Sequence, residues 1–263
     1  IAPERLLTDG FINFALNADI SQICIDEAHC VSQWGQNFRP SYLNIAEFVK
    51  LLPKRPVLSA FTATATKKVK NDIVNLLNLS SPYVLTTGYD RKNLYFQVLK
   101  AKEKFEELIE FLHKNLSTCG IIYCSTRKAV EDVCAKLCAN GFSAVRYHAG
   151  LDDDERRKNQ DDFIYDKAQI IVATNAFGMG IDKSNVSFVI HYNMPKNIES
   201  YYQEAGRAGR DGGPAKCVLF YSPKDAVTSR YLIYNSVNDE LDEKTQEKIK
   251  RNDLGRLNGL VGY

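Results

Sequence analysis

The chemistry written most plainly into this chain of 263 residues lies at Ile23-Cys24-Ile25-Asp26-Glu27-Ala28-His29, where an apolar run ends in two adjacent carboxylates. If that run is a strand of a parallel sheet, the carboxylates stand at its carboxyl edge, where open α/β sheets bind ligands. One carboxylate placed there can hold a Mg2+ ion that bridges nucleotide phosphates, and its neighbour can orient or deprotonate an attacking water. An acidic loop with no chemical role would look the same, so these residues alone leave both readings open. A second cluster, Gln203-Glu204-Ala205-Gly206-Arg207-Ala208-Gly209-Arg210-Asp211, interleaves two arginines with glycines. Glycine lets backbones approach closely, and the guanidinium fork grips phosphate oxygens. An arginine delivered from one lobe to a nucleotide on another compensates charge on a transferring phosphoryl group. The alternative is a solvated basic loop; beside Asp26 and Glu27, an interlobe nucleotide site is the better reading.

Between these clusters runs Ala173-Thr174-Asn175-Ala176-Phe177-Gly178-Met179-Gly180-Ile181-Asp182, a strand opening into a loop whose N–H groups suit anions. No strand–GxGxxG–helix unit with a distal acid accompanies it, which disfavours a dinucleotide-dependent dehydrogenase.

Positioning such groups requires a sheet with helices on it, and the pattern supplies one. Short apolar runs at 20–25, 57–61, 120–124, 143–147, 169–174, 187–192 and 217–221 read as buried strands. Helical periodicities at 103–116, 127–140 and 152–165 alternate with them, giving the class α/β with parallel sheets. The acidic run Asp152-Asp153-Asp154-Glu155 loads the first turn of a helix, as the helix dipole favours. A polar segment at 86–93 marks a boundary, so residues 1–88 and 89–222 form two lobes, and 223–263 reads as a separate helical tail.

Composition narrows the field by exclusion. Hydrophobic residues at 44% and charged residues at 25% fit a globular chain and rule out a disordered or collagen-like one. A net charge of +2 means that any nucleic acid is held by local patches. No run reaches the roughly 20 apolar residues of a membrane span and no secretory signal opens the sequence, so the expectation is an intracellular protein with no membrane partner, in cytoplasm or nucleoid, or in the nucleus of a eukaryote. The seven cysteines form no C-x-x-C pair; reduced, buried thiols are expected, and packing is favoured over metal ligation even for Cys134 and Cys138 at i, i+4.

With these residues in view, Asp26-Glu27-Ala28-His29, Ser59-Ala60-Phe61-Thr62-Ala63-Thr64-Ala65-Thr66, Phe177-Gly178-Met179-Gly180 and the Gln203 to Asp211 cluster resemble consecutive motifs of superfamily 2 helicases. More narrowly, Cys30-Val31-Ser32-Gln33-Trp34-Gly35-Gln36-Asn37-Phe38-Arg39-Pro40-Ser41-Tyr42 resembles the aromatic-rich loop of RecQ-type DNA helicases, as do Tyr147-His148-Ala149-Gly150-Leu151 and Ile198-Glu199-Ser200-Tyr201-Tyr202-Gln203. The resemblance implies tandem RecA-like lobes, the first partial and the second complete, followed by a short helical tail. It implies an ATP-dependent 3′ to 5′ DNA helicase of recombination and repair, acting on single-stranded DNA and duplex junctions, with ATP and Mg2+ as cofactors. On it, Asp26 holds Mg2+ through water, Glu27 is the base, and His29, Arg207 and Arg210 complete the catalytic set. Gly180, Asp182 and Gln203 join Arg207 and Arg210 around ATP. The DNA contacts it implies are Trp34, Phe38, Arg39, Thr62, Ser125, Arg127, His148 and Thr174.

Physical chemistry supports part of that assignment independently. Trp34, Phe38 and Tyr42 offer flat faces to unpaired bases, and Arg39 a cation for phosphate or base. Core packing is the competing role for Phe38 and Tyr42. Residues 48–71 carry Lys50, Lys54, Arg55, Lys67, Lys68 and Lys70 without one acid, although most of these are expected only to solvate helix faces. Ser125-Thr126-Arg127 brings hydroxyls, helix-start N–H groups and a guanidinium together at a potential phosphate site, compatible with a plain N-cap. For His148 a core or capping role competes with a phosphate contact, and only the resemblance favours the contact; His113 and His191 read as structural or surface residues.

The sequence holds no G-x-x-x-x-G-K-[ST] loop. In RecQ-like proteins that loop precedes the region matched here, and a four-cysteine Zn2+ module follows it, with 223–263 resembling the approach to that module. The chain by itself is therefore expected to be inactive. The rival readings are a DEAH-type RNA helicase and a catalytically silent DNA- or partner-binding module.

Overall fold

The computed structural model describes residues 1–34, 38–88, 90–178, 182–236 and 242–262. Along the chain the elements are α1 (Asp9–Leu16), β1 (Gln22–Ile25), α2 (Asn44–Leu51), β2 (Val57–Ala60), α3 (Lys67–Leu76), β3 (Leu94–Leu99), α4 (Lys104–His113), β4 (Cys119–Tyr123), α5 (Arg127–Ala139), β5 (Ala144–Tyr147), α6 (Asp153–Ile164), β6 (Ile170–Ala173), β7 (Val186–His191), α7 (Ile198–Ala205), β8 (Ala215–Phe220), α8 (Pro223–Tyr234) and α9 (Glu243–Val261). They divide into two compact units, residues 1–88 with 236–252 and residues 89–235 with 253–263. The tail beyond residue 222 is thus apportioned to both units: α8 belongs to the second, where Ala226 and Ile233 pack with Met194 and with Leu257 of α9.

In the first unit β1 and β2 pair in parallel, Gln22 opposite Val57 through Ile25 opposite Ala60. Ile25, Ala28 and Val31 turn inward to meet Ile45 and Phe48 of α2 and Val69 and Ile73 of α3. Thr66 caps α3, its hydroxyl accepting the Val69 N–H. This packing fixes the chain on both sides of the carboxylate pair.

The second unit is a six-stranded, all-parallel sheet in the order β3-β8-β7-β4-β6-β5. Its central strand explains the uninterrupted apolar run in the sequence: Ile121 and Ile122 are both fully buried but face opposite sides. Ile121 joins Phe163 of α6 and Ala205 of α7; Ile122 joins Leu108 of α4 and Val130 and Leu137 of α5. The acidic run begins α6 as expected, with Asp152 at the N-cap and Asp153, Asp154 and Glu155 in the first turn. All seven cysteines are free, and five are buried; Cys24 and Cys138 are exposed.

The sequence pattern did not show β3. Four of its six residues are exposed and, among the described residues, it pairs only with β8, so an edge strand lacks the buried run that reveals the others. At Gly120 the sheet admits no side chain, because a Cβ would lie 2.2 Å from the ring of Phe188, itself packed edge-on against Phe111. Gly120→Ala is accordingly expected to cost about 1–3 kcal/mol through overpacking. Denaturant titration checks this, and an unchanged midpoint would show that the Phe188 ring can move aside.

Candidate functional site

Asp26 follows β1 directly, at the carboxyl edge of the parallel pair. Its Oδ1 accepts the N–H of Glu27 at 2.8 Å. Glu27 occupies the left-handed region (φ 48°), a conformation that costs a non-glycine residue about 1–2 kcal/mol. The next turn is locked to β2 and its sequel, since Ala28 N donates to Phe61 O at 2.9 Å and Phe61 N to Ile25 O at 2.8 Å. The carboxylates are therefore presented by a tight turn clamped on both sides.

His29 is buried, and burial, against the pull of Asp26 and with help from the Arg39 cation, lowers its pKa to about 4. It is neutral near pH 7, so its approach to Glu27 Oε2 at 3.3 Å is not an ion pair. Its Nδ1 lies 2.8 Å from Thr62 Oγ1, and that hydroxyl donates to Thr64 O at 3.1 Å. The hydroxyl has one proton, already given, so Nδ1 carries the hydrogen and Thr62 accepts it. The Asp26–His29 turn is thereby joined to the segment after β2.

The aromatic loop begins in the same unit. Ser32 Oγ donates to Asp72 Oδ2 at 2.5 Å and accepts the Trp34 N–H at 3.1 Å, setting the entry to the loop. Trp34 is half-buried; Lys68 Nζ stands 3.2 Å over its ring, Lys248 Nζ stands 5.0 Å from the ring centroid, and Lys248 also donates to Gln33 Oε1 at 3.1 Å. Phe38 and Arg39 are half-buried, Arg39 N donating to Cys30 O at 3.0 Å. Tyr42 packs on the core and donates its hydroxyl to Asp26 O at 3.3 Å. Gly35, Gln36 and Asn37 lie outside the described residues.

Three cations of the basic stretch make specific contacts. Besides Lys68 on Trp34, Lys70 Nζ donates to Thr86 Oγ1 at 2.9 Å and Arg55 to Asn78 O at 2.6 Å. Lys50, Lys54 and Lys67 are exposed, in keeping with the expectation that most of the stretch is solvated, while α3 brings Lys68 and Lys70 to neighbouring segments.

In the second unit Ser125, Arg127, His148 and Thr174 all follow the carboxyl ends of β4, β5 and β6. Thr126 Oγ1 accepts the Ala129 N–H at 3.1 Å and caps α5. Arg127 lies against Gly150, where a Cβ would meet its Nη1 at 3.0 Å. His148 is buried, its Nε2 is 2.7 Å from Glu131 Oε1, and its Nδ1 accepts the Gly150 N–H at 3.1 Å. Both ring nitrogens are used, so it organises the turn against which Arg127 rests. Burial would raise the Glu131 carboxyl, but hydrogen bonds from His148 and Arg146 hold it below the usual range. Thr174 is buried, its Oγ1 accepting the Ala176 N–H at 3.4 Å.

The arginine cluster occupies the turn after α7. Arg207 Nη1 donates to Gly178 O at 2.5 Å, while Nε is buried and lacks a hydrogen-bond partner among the described residues. Arg210 pairs with Asp182 at 3.0 Å, uniting two of the expected nucleotide residues; Gln203 stands half-buried on α7, and Gly180 lies outside the described residues. Two residues of the polar boundary segment hold this turn. Arg91 donates to Ala208 O and Gly209 O at 3.2 and 2.7 Å, and Asn93 to Gly209 O and Gly213 O at 2.8 and 2.9 Å. Gly209 has φ 58°, and a Cβ there would sit 2.5 Å from the Asn93 amide, so only glycine suits the position.

Residues 103–212 match the helicase conserved C-terminal domain. The chain is 45% identical over its whole length to the ATP-dependent DNA helicase RecQ of Bacillus subtilis, covering 43% of it. It is 48% identical to the ATP-dependent helicase wrn-1 of Caenorhabditis elegans over 84% of this chain and 22% of that protein. The chain thus spans less than half the length of these relatives. In fold it resembles Saccharomyces cerevisiae Dbp5 bound to RNA and ADP BeF3, with a TM-score of 0.65, 24% identity, and coverage of 89% of this chain and 63% of that one. The whole-length similarity of this chain is thus to RecQ-type helicases, with the helicase conserved C-terminal domain matched at residues 103–212.

Proposed function

We propose that the protein couples ATP hydrolysis to 3′ to 5′ movement on single-stranded DNA and to unwinding at duplex junctions. The observation that carries this reading is the continuity of one small unit: the Asp26–Glu27 turn, the His29–Thr62 link and Trp34 flanked by Lys68 share one core. Relatives named ATP-dependent DNA helicases support the same reading.

The residues fit Mg2+, since Asp26 is exposed and, among the described residues, only its Oδ1 accepts a hydrogen bond, leaving a hard oxygen for a water-mediated contact. Bound there, the ion would offset negative charge on the phosphates of ATP. Glu27 orients and deprotonates the attacking water. Arg207 and Arg210 neutralise phosphate charge, with Gln203, Gly180 and Asp182 completing the nucleotide contacts. A base stacking on Trp34 displaces Lys68, freeing that cation for a DNA phosphate. The change passes to the Asp26–Glu27 turn through residues 29–34 and the His29–Thr62 bond. Phe38 and Arg39 extend the grip, while Ser125, Arg127 and Thr174 hold the backbone.

In the full-length protein, Trp34→Ala is expected to raise the DNA concentration giving half-maximal ATPase about 5- to 150-fold, the equivalent of about 1–3 kcal/mol of lost stacking. ATP binding without DNA should survive. Titrating ATPase with single-stranded DNA and with RNA checks both points. Stronger stimulation by RNA would replace this reading with that of an RNA helicase, and unchanged stimulation in the variant would remove Trp34 from the coupling.

A further inference from the structure

The loops leaving β4 and β7 run side by side, because these strands are paired with Tyr123 opposite His191. Two residues beyond those positions stand Ser125 and Asn193. The Ser125 N–H donates to Asn193 Oδ1 at 3.1 Å, and Asn193 Nδ2 donates to Oδ1 of Asp225 at 3.1 Å. An amide side chain can be turned either way in its site. Here a backbone N–H that can only donate meets one end and a carboxylate that can only accept meets the other, so a single orientation satisfies both.

Asp225 is buried in the first turn of α8 and is itself fixed. Its Oδ2 accepts from Lys104 Nζ at 2.6 Å and from the Met194 N–H at 3.3 Å, and Lys104 Nζ also donates to Tyr192 O at 2.8 Å. A buried carboxylate with a cation and two N–H donors is paired on both oxygens, the condition under which such a group is tolerated. The first residues of α4 and α8 thus converge on the one amide that pins Ser125. From there the chain runs into Thr126, which caps α5, and Arg127, which rests on Gly150.

We propose that Asn193, oriented by Asp225, is a positioning residue for the DNA-phosphate grip formed by Ser125, Thr126 and Arg127. The proposal rests on the reading that this segment touches DNA. Asn193 acts by fixing the backbone from which Arg127 projects, and the helix after β8 is thereby tied to DNA affinity.

The test is a double-variant cycle in the full-length protein, measuring single-stranded DNA affinity against salt concentration for Asn193→Ala, Arg127→Ala and the pair. Loss of the pinning bond is expected to weaken binding about 3- to 10-fold and to lower the salt slope by about 1, as for one lost phosphate contact. ATP affinity without DNA should not change, and Asn193→Ala should add little in the Arg127→Ala background. If Arg127→Ala leaves DNA affinity intact, the reading beneath the proposal fails. If Arg127→Ala weakens binding while Asn193→Ala has no effect, or adds its full effect in the double variant, the proposal alone is overturned. Should Asn193→Ala not fold, the isosteric Asp225→Asn, whose single carbonyl oxygen is claimed by Lys104 Nζ and the Met194 N–H, turns an amide N–H toward Asn193 in place of the acceptor and carries the same outcomes.

Discussion

Glu27→Gln in the full-length protein is expected to lower ATP turnover about 10²- to 10⁴-fold, the usual contribution of a positioned general base. The substitution is suited to isolating that role. It keeps size and shape and, because the bond to Asp26 Oδ1 comes from the backbone N–H, leaves the turn intact. The residue must also hold φ 48°, which glutamine tolerates about as well as glutamate. Nucleotide affinity, measured with a fluorescent ATP analogue, should stay near that of the unaltered protein while steady-state turnover collapses. Turnover within tenfold of the original would move the base elsewhere.

Arg207→Ala is expected to be at least as severe, lowering kcat about 10³- to 10⁵-fold, the range seen when an arginine finger is lost. Arg207 spends one terminal nitrogen on Gly178 O and keeps a buried Nε unpartnered among the described residues. A buried donor without an acceptor costs about 1–3 kcal/mol, so a phosphate oxygen that engaged Nε would remove that cost. Arg207→Lys should rescue poorly, because an ammonium cannot hold the Gly178 carbonyl and present a second donor in a fixed plane. Comparing kcat with KM decides the matter: a loss confined to KM would make Arg207 a binding residue without a role in turnover. Arg210, already paired with the exposed Asp182, should matter less.

The two variants probe features that differ in how far they could be read from residues alone. The carboxylate pair was legible because β1 ends at Ile25 and the next two residues are acidic, a local pattern that needs no long-range contact. The arginine cluster was legible from its glycines. Nothing in the sequence linked it to Arg91 and Asn93, since the Asn93–Gly209 bond joins residues 116 positions apart. Likewise His148 stood out by its family pattern, but its engagement by Glu131 and Gly150 could be known only once α5 and β5 were packed together.

The sequence by itself determined the α/β class, the parallel character of the buried strands and the residue types available for phosphate chemistry. Each of these follows from periodicity and composition, which record whether a side chain faces core or water. The tertiary structure alone decided the edge strand β3, the lysine over Trp34, the brace beneath the arginine turn and the amide that pins Ser125. These are hydrogen bonds, ring contacts and edge pairings between polar or exposed residues. Such partners are selected by donor and acceptor geometry after the core has formed, and they leave no periodic trace in the chain.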